Sequence, residues 1–237
     1  MNIRFYPTLE QCDKDALQNV VVVVIDVLRA SSTIVAAIEN GAERIIPIGD
    51  IETASRLVRP AERDRKLLAG ERKCCSVPGF DLCNSPGEFS SDRVRGKTIV
   101  FTTTNGTRAI AAAAKAARIL ICAFTNVHAV ATAIREEKEV VILCCGAEGS
   151  IAAEDLLCGG LLLASLGDAV EQESLTDAAR LARTLVTEFG HDVEGFVRTC
   201  DHGRRLIALG FENDVVSCSR VGVSAIVPVG REGAIVA

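Results

Sequence analysis

The sequence predicts an α/β fold: a three-layer arrangement around a mixed, largely parallel sheet, built from two similar βαβ units sharing a cleft. Three observations carry that expectation. Residues 20–25 (VVVVVI) are apolar at every position, the pattern of a strand covered on both faces of a parallel sheet. Two stretches, 26–46 and 102–120, each open from a strand into a hydroxyl-rich loop, an alanine-containing helix and a second strand. Ala42-Glu43-Arg44-Ile45-Ile46 matches Ala116-Ala117-Arg118-Ile119-Leu120, which brings Thr33 into register with Thr107. Finally, the chain from residue 215 alternates short β-branched runs with Gly and Pro, which suits edge strands and makes the sheet mixed.

The elements follow in order. Residues 2–6 read as an edge strand and 12–18 as a short turn of helix. The central strand ends in Asp26, and an alanine-rich helix is expected over 33–39, with Asn40-Gly41 as its stop. A strand at 44–48 and a helix at 51–58 come next, and Pro60 stops that helix. A short strand at 66–69 leads into the loop 70–89, GERKCCSVPGFDLCNSPGEF. A loop that long without secondary structure points to function. Then come a strand at 97–101, the TTTNGT stretch at 102–107, a helix at 108–117, a strand at 118–123 and a helix at 127–137. The third unit is a strand at 139–145, the loop GAEGSIAAED and an apolar helix at 155–166. An amphipathic helix at 175–189 is stopped by Gly190, with short helices at 192–200 and 203–209. No linker composition interrupts the chain, so residues 1–237 are expected to form a single compact α/β domain.

Composition narrows the function classes. The chain has 237 residues, 49% hydrophobic and 24% charged, enough for a sizeable core. A net charge of −5 with no basic stripe argues against nucleic acid as a partner. No apolar run reaches the ~18 residues of a membrane span. The start, MNIRFYPTLEQC, lacks the charged-then-apolar order of a secretory signal, so a cytoplasmic protein is expected. There are ten cysteines. Cys122, Cys144, Cys145 and Cys158 lie in apolar segments and read as small core residues. No Cys-x-x-Cys pair occurs and histidines number three, which speaks against structural zinc. Cys74, Cys75 and Cys83 sit in the long loop with no histidine nearby in sequence, so they are expected to be dispensable for chemistry.

Three strand ends converge on one face in this reading. The first carries Asp26 and Arg29 with Ser31, Ser32 and Thr33. The second carries Thr104, Asn105, Gly106, Thr107 and Arg108. The third carries Glu148, Glu154 and Asp155, and the long loop adds Glu71, Arg72, Asp81, Asn84 and Ser85. Open α/β sheets bind ligands at such ends, where hydroxyls, helix-start N–H groups and arginines suit an anion. Capping alone would explain Asp26 and the hydroxyls, but not Arg29 as well. Carboxylates clustered without His or Cys suit a hard, oxygen-loving divalent ion, usually Mg²⁺. Anion donors beside such an ion make phosphoryl transfer or phosphate-ester hydrolysis the natural chemistry. A nucleotide-dependent transferase is disfavoured, because neither GxxxxGK[ST] nor GxGxxG occurs. A non-catalytic binding protein for a small anionic metabolite would use the same loops.

The stretches IDVLRASST, AGER, PGFDLCNSP, TTTNGT and CCGAEGSIAAED, in that order and spacing, resemble the 2-phosphosulfolactate phosphatases of coenzyme M biosynthesis over most of the chain. The resemblance implies a Mg²⁺-dependent hydrolase that converts (R)-2-phospho-3-sulfolactate to 3-sulfolactate and phosphate; the alternative is another small phosphorylated acid. Asp26 and Glu71 are the first choices as metal ligands, followed by Glu154 and Asp155. Asp26, Arg29, Glu71 and Arg72 are the expected catalytic set. Ser31, Ser32, Asn84, Ser85, Thr104, Asn105, Gly106, Thr107 and Arg108 are the expected substrate contacts. Position 28 is Leu, so the Asp-x-Asp of haloacid-dehalogenase phosphatases is absent. Attack by a metal-activated water is therefore preferred over an aspartyl-phosphate. A homodimer is compatible with the sequence.

Overall fold

A computed structural model describes residues 1–237 and contains one mixed sheet of ten strands. Strand β2 (Val21–Ile25) is buried at every residue and lies between β7 (Arg118–Cys122) and β8 (Glu139–Cys144), parallel to both. β1 (Asn2–Tyr6) closes this half beyond β8. The other half sets β6 (Thr98–Thr102) between β3 (Arg44–Pro47) and β4 (Lys66–Arg72), again parallel. The two-residue β5 (Cys75–Ser76) turns back antiparallel on β4.

The last strands are not edges. β9 (Val229–Arg231) and β10 (Ala234–Val236) form a hairpin in the middle of the sheet. Leu120 pairs with Val229 on one side and Ile45 with Ile235 on the other. Each parallel half ends in an apolar strand whose free N–H and C=O groups need a partner, and the hairpin supplies both. Strands of three residues are too short to carry a readable period, so their sequence could not announce this placement.

Two helices cross between the halves. α1 (Ala30–Glu39) leaves β2 and delivers β3, while α4 (Gly106–Ala112) leaves β6 and delivers β7. The expected pair of similar βαβ units is therefore a pair of reciprocal crossovers. α1 and α4 cover one face, burying Ile34, Ala37, Ile38, Ala109 and Ile110 against Val22, Val24, Ile99, Phe101 and Ile121. On the opposite face α5 (Val127–Ile134), α6 (Ala153–Leu166) and α7 (Asp177–Phe189) pack on Val23, Ile25, Leu120, Cys122 and Ile142. Successive residues of β2 thus enter different cores, which is why the run is apolar throughout. Gly160 lets α6 approach α7, since a Cβ there would sit 2.2 Å from the Ala182 carbonyl oxygen. α2 (Ile51–Leu57) covers the outer half through Ala54 on Leu68 and Val100.

Several boundaries differ from expectation. α1 starts at Ala30, so Ser31, Ser32 and Thr33 lie in its first turn and not in a loop. The long loop is structured: β4 runs to Arg72, the β5 turn follows, Ala69 bridges Leu82, and Pro86–Glu88 is a 3₁₀ turn before the short α3 (Ser91–Val94). After α8 (Val193–Thr199) and α9 (Asp201–Ala208), where edge strands were expected to begin, a helix runs over Glu212–Cys218 (α10). Val215 and Cys218, three apart, both enter the core, a helical spacing. No helix is long and apolar enough to cross a membrane.

Candidate active site

A cavity of about 360 Å³ opens where the ends of β2, β4, β6 and β8 meet, with α9 as a further wall. Asp26, Glu71 and Glu154 line it, together with Asn84, Thr103, Thr104 and Asn105. The two related loops do meet: a Cβ on Gly106 would lie 2.8 Å from Asp26 Oδ2 and 2.5 Å from Ala30 Cβ. Only glycine lets them approach so closely.

Each carboxylate has a distinct environment. Asp26 Oδ1 accepts a hydrogen bond from Ala30 N at 3.3 Å, so Asp26 does tie down the start of α1 while also facing the cavity. Burial raises its pKa, and Glu71 and Glu154 add to that. His202 and the Ala30 N–H work against it, and the result is about 6. Glu71 accepts from Cys74 N and Thr104 N, both at 2.8 Å, and so joins the β4–β5 turn to the TTTNGT loop. Glu154 Oε1 meets His202 Nδ1 at 3.2 Å, while its Oε2 is buried without a partner. Asp155 is different. Its two oxygens accept from Val27 N at 2.8 Å and Gly146 N at 3.2 Å, clamping the ends of β2 and β8 together behind the cavity. Burial, with Asp26 and Glu154 nearby, pushes its pKa well up. No three of the protein's Asp, Glu, His and Cys side chains close around a common point. The four expected ligands are therefore not a ready-made protein cage.

Several expected substrate contacts turn out to be spent inside the protein. Ser31 Oγ accepts from Asp26 N at 2.9 Å, and Ser32 Oγ donates to Val27 O at 2.7 Å. Thr107 and Thr103 bond reciprocally, each backbone N–H donating to the other's hydroxyl at 3.1–3.2 Å. Ser85 Oγ donates to Asp214 Oδ1 at 2.5 Å. None of Ser31, Ser32, Ser85 and Thr107 lines the cavity: Ser31, Ser32 and Thr107 satisfy nearby backbone groups, and Ser85 is held by the Asp214 carboxylate. Gly106 takes part through its lack of a side chain. Arg108 points away to pair with Glu10 at 3.2 Å. Arg72 binds Glu71 O at 2.7 Å, Thr102 Oγ1 at 2.8 Å and Gly49 O at 3.1 Å, also outside the cavity. Asn84, Thr104 and Asn105 do line it, and Asn84 Oδ1 and Thr104 Oγ1 are buried without partners.

Arg29 reaches the cavity wall but has its own protein partners. Nη1 donates to Asp214 Oδ2 at 2.6 Å, Nη2 donates to Cys74 O at 2.9 Å, and the guanidinium lies 4.3 Å over the Phe211 ring. Glu148, expected at this strand end, does line the cavity, whereas sequence reasoning missed Lys73, Asp201, His202 and Arg205. Cys74 does have a histidine neighbour after all, since His202 Nε2 lies 3.6 Å from its Sγ. Burial opposes charge on His202, but the contacts with Cys74 and Glu154 outweigh it and raise the pKa to about 10. Cys74 and His202 are 128 positions apart, so no local pattern could have joined them.

Comparison with known proteins gives a consistent family. The model of the family described as 2-phosphosulpholactate phosphatase matches residues 6–233. A protein of Caldanaerobacter subterraneus subsp. tengcongensis, named probable 2-phosphosulfolactate phosphatase, is 38% identical over 98% of this chain and 97% of its own. Proteins of the same name from Clostridium acetobutylicum and Symbiobacterium thermophilum are 37% and 39% identical. The first covers 99% of this chain and 100% of its own length, the second 91% and 93%.

Proposed function

This chain belongs to the 2-phosphosulfolactate phosphatase family, and from that premise we propose that it is a Mg²⁺-dependent phosphatase converting (R)-2-phospho-3-sulfolactate to 3-sulfolactate and phosphate. The observation that carries the reading is the electrostatics of one cavity. Asp26, Glu71 and Glu154 face it, Asp26 is destabilised as an anion, and Glu154 keeps a buried oxygen without a partner. His202 is the one cation in contact with this cluster, on Glu154 Oε1, and neither Asp26 nor Glu71 forms an ion pair. Asp26 and Glu154, with Glu71 beside them, would hold Mg²⁺. That ion is usually carried by one or two carboxylates, waters and the substrate's phosphate, so the lack of a closed protein cage fits it. When bound, the ion neutralises charge on the phosphoryl oxygens and polarises the group towards attack.

The chain's own groups orient the ester. His202 holds Glu154 by one oxygen and leaves the other free. Glu71 fixes the Lys73–Cys74 turn and Thr104 in one arrangement through two backbone hydrogen bonds. Asn84, Thr104 and Asn105 offer the polar contacts for the phosphate. Water adds to phosphorus, the ester P–O bond breaks, and the departing alkoxide takes a proton to become the alcohol of the product. Leu28 occupies the place of a second aspartate, which favours water over Asp26 as the nucleophile. We place the reaction in the cytosol, where the ten unpaired cysteines stay reduced.

The test is phosphate release from 2-phospho-3-sulfolactate and from other 2-phospho acids, before and after exhaustive EDTA treatment. Activity should vanish with EDTA and return with Mg²⁺ or Mn²⁺, but poorly with Zn²⁺. Full activity after EDTA would refute the metal requirement. No phosphate release from any ester would refute the enzyme and leave a protein that only binds anions.

A further inference from the structure

Among the cations lining the cavity, three are already paired. Arg29 is held by Asp214, His202 by Glu154, and Arg205 by Glu148 at 3.1 Å. Lys73 lines the same cavity, is exposed, and forms no ion pair. Its backbone conformation is unusual as well. Lys73 and Cys74 are the two central residues of the turn joining β4 to β5, across which Arg72 pairs with Cys75. Both lie in the left-handed region, with φ of 53° and 67°. Turns with two such residues ordinarily use Asn-Gly, because L side chains with a Cβ are disfavoured there. Here the conformation is enforced by charged groups. Glu71 accepts from Cys74 N at 2.8 Å, and Arg29 donates to Cys74 O at 2.9 Å. The turn, held by two buried charges, thus fixes a lysine in the cavity wall at a position where Asn or Gly would carry less strain.

We propose that Lys73 is a specificity determinant, binding a second anionic group on the alcohol part of the ester, a sulfonate or carboxylate, while the phosphate occupies the carboxylate-lined end. Arg205, on α9 beside the same turn, supports this subsite while tethered to Glu148. The proposal rests on reading the cavity as a phosphate-ester site. A multiply charged substrate entering among Asp26, Glu71, Glu148, Glu154 and Asp201 needs a cation that is not already neutralised, and Lys73 is the cation in the cavity wall that qualifies. A point charge on a flexible stem suits a tetrahedral sulfonate as well as a planar carboxylate.

Three forms of the protein test it: wild type, Lys73→Gln and Lys73→Arg, each checked by melting temperature. Calorimetry measures binding of 3-sulfolactate and, separately, of inorganic phosphate, in the presence of Mg²⁺. Lys73→Gln should weaken 3-sulfolactate at least tenfold and phosphate much less, and Lys73→Arg should restore most of the loss. In turnover, the ratio of kcat/KM for 2-phospho-3-sulfolactate to that for phenyl phosphate should fall at least tenfold in Lys73→Gln. Equal weakening of both ligands would put Lys73 on the phosphate and overturn the proposal, as would no weakening of either. If the wild type hydrolyses no ester, the phosphatase reading fails, and the binding comparison still decides the role of Lys73. A wild type that binds phosphate but not 3-sulfolactate overturns the subsite alone.

Discussion

Replacing Arg29 with Met should cost stability as well as activity. The Arg29 and Asp214 side chains are only 2% and 6% exposed, so solvent screens their 2.6 Å contact very little. Removing one partner of a buried pair strands the other charge, at about 3–5 kcal/mol. Ser85 still donates to Asp214, which favours the lower end, but Cys74 O loses its donor and Phe211 its stacked cation. At about 2–4 °C per kcal/mol for a chain of this size, the melting temperature should drop by roughly 6–20 °C. The double variant Arg29→Met/Asp214→Asn should regain more than half of the loss, because most of the cost is the stranded charge. Arg29→Lys should fall between, since an ammonium cannot span Asp214 and the Cys74 carbonyl at once. Urea unfolding at neutral pH, with midpoint and slope fitted together, reads all three variants. An Arg29→Met protein within about 1 kcal/mol of wild type would refute the clamp. So would a double variant no more stable than the single one.

Two further outcomes follow from the cavity. Asp26→Asn should lower kcat by roughly a hundredfold, about 2.7 kcal/mol of barrier. The folded pKa of Asp26, about 6, lies above its ordinary 3.8, so its favourable contribution is full below the lower value and lost as pH rises through the higher. The Asn variant without metal should therefore melt higher than wild type at about pH 7.5 and not at about pH 4; a lower melting temperature at both would contradict the burial account. Gly106→Ala should destabilise by about 1–3 kcal/mol, since its Cβ would meet Ala30 and Asp26. It should also cut kcat, and a fully active, equally stable Ala variant would mean that the two loops do not meet.

Much of the scaffold was legible in the chain because it depends on local rules. The apolar run 20–25 reads as a strand covered on both faces, and all of it but Val20 forms one. The repeat that aligned Thr33 with Thr107 located the two loops that meet at Asp26 and Gly106. The loop carboxylates were visible as residue types, and Asp26, Glu71 and Glu154 do reach one cavity. Other features had no local signature. The β9–β10 hairpin sits mid-sheet because two distant strands leave their edges unpaired, a demand that its own few residues do not encode. His202 and Arg205 reach the cavity because Leu206 and Val215 anchor the C-terminal helices in the core beneath β2. The hydroxyls mark the division most plainly. Ser31, Ser32 and Thr107 look like ligand donors in sequence, yet each meets a backbone group, while Glu154 Oε2, Asn84 Oδ1 and Thr104 Oγ1 stay unpartnered. Helix and strand periods are properties of neighbouring residues, so the sequence alone determines them. Which buried polar atom is left for a ligand depends on where every other donor and acceptor has gone, and only the folded chain decides that.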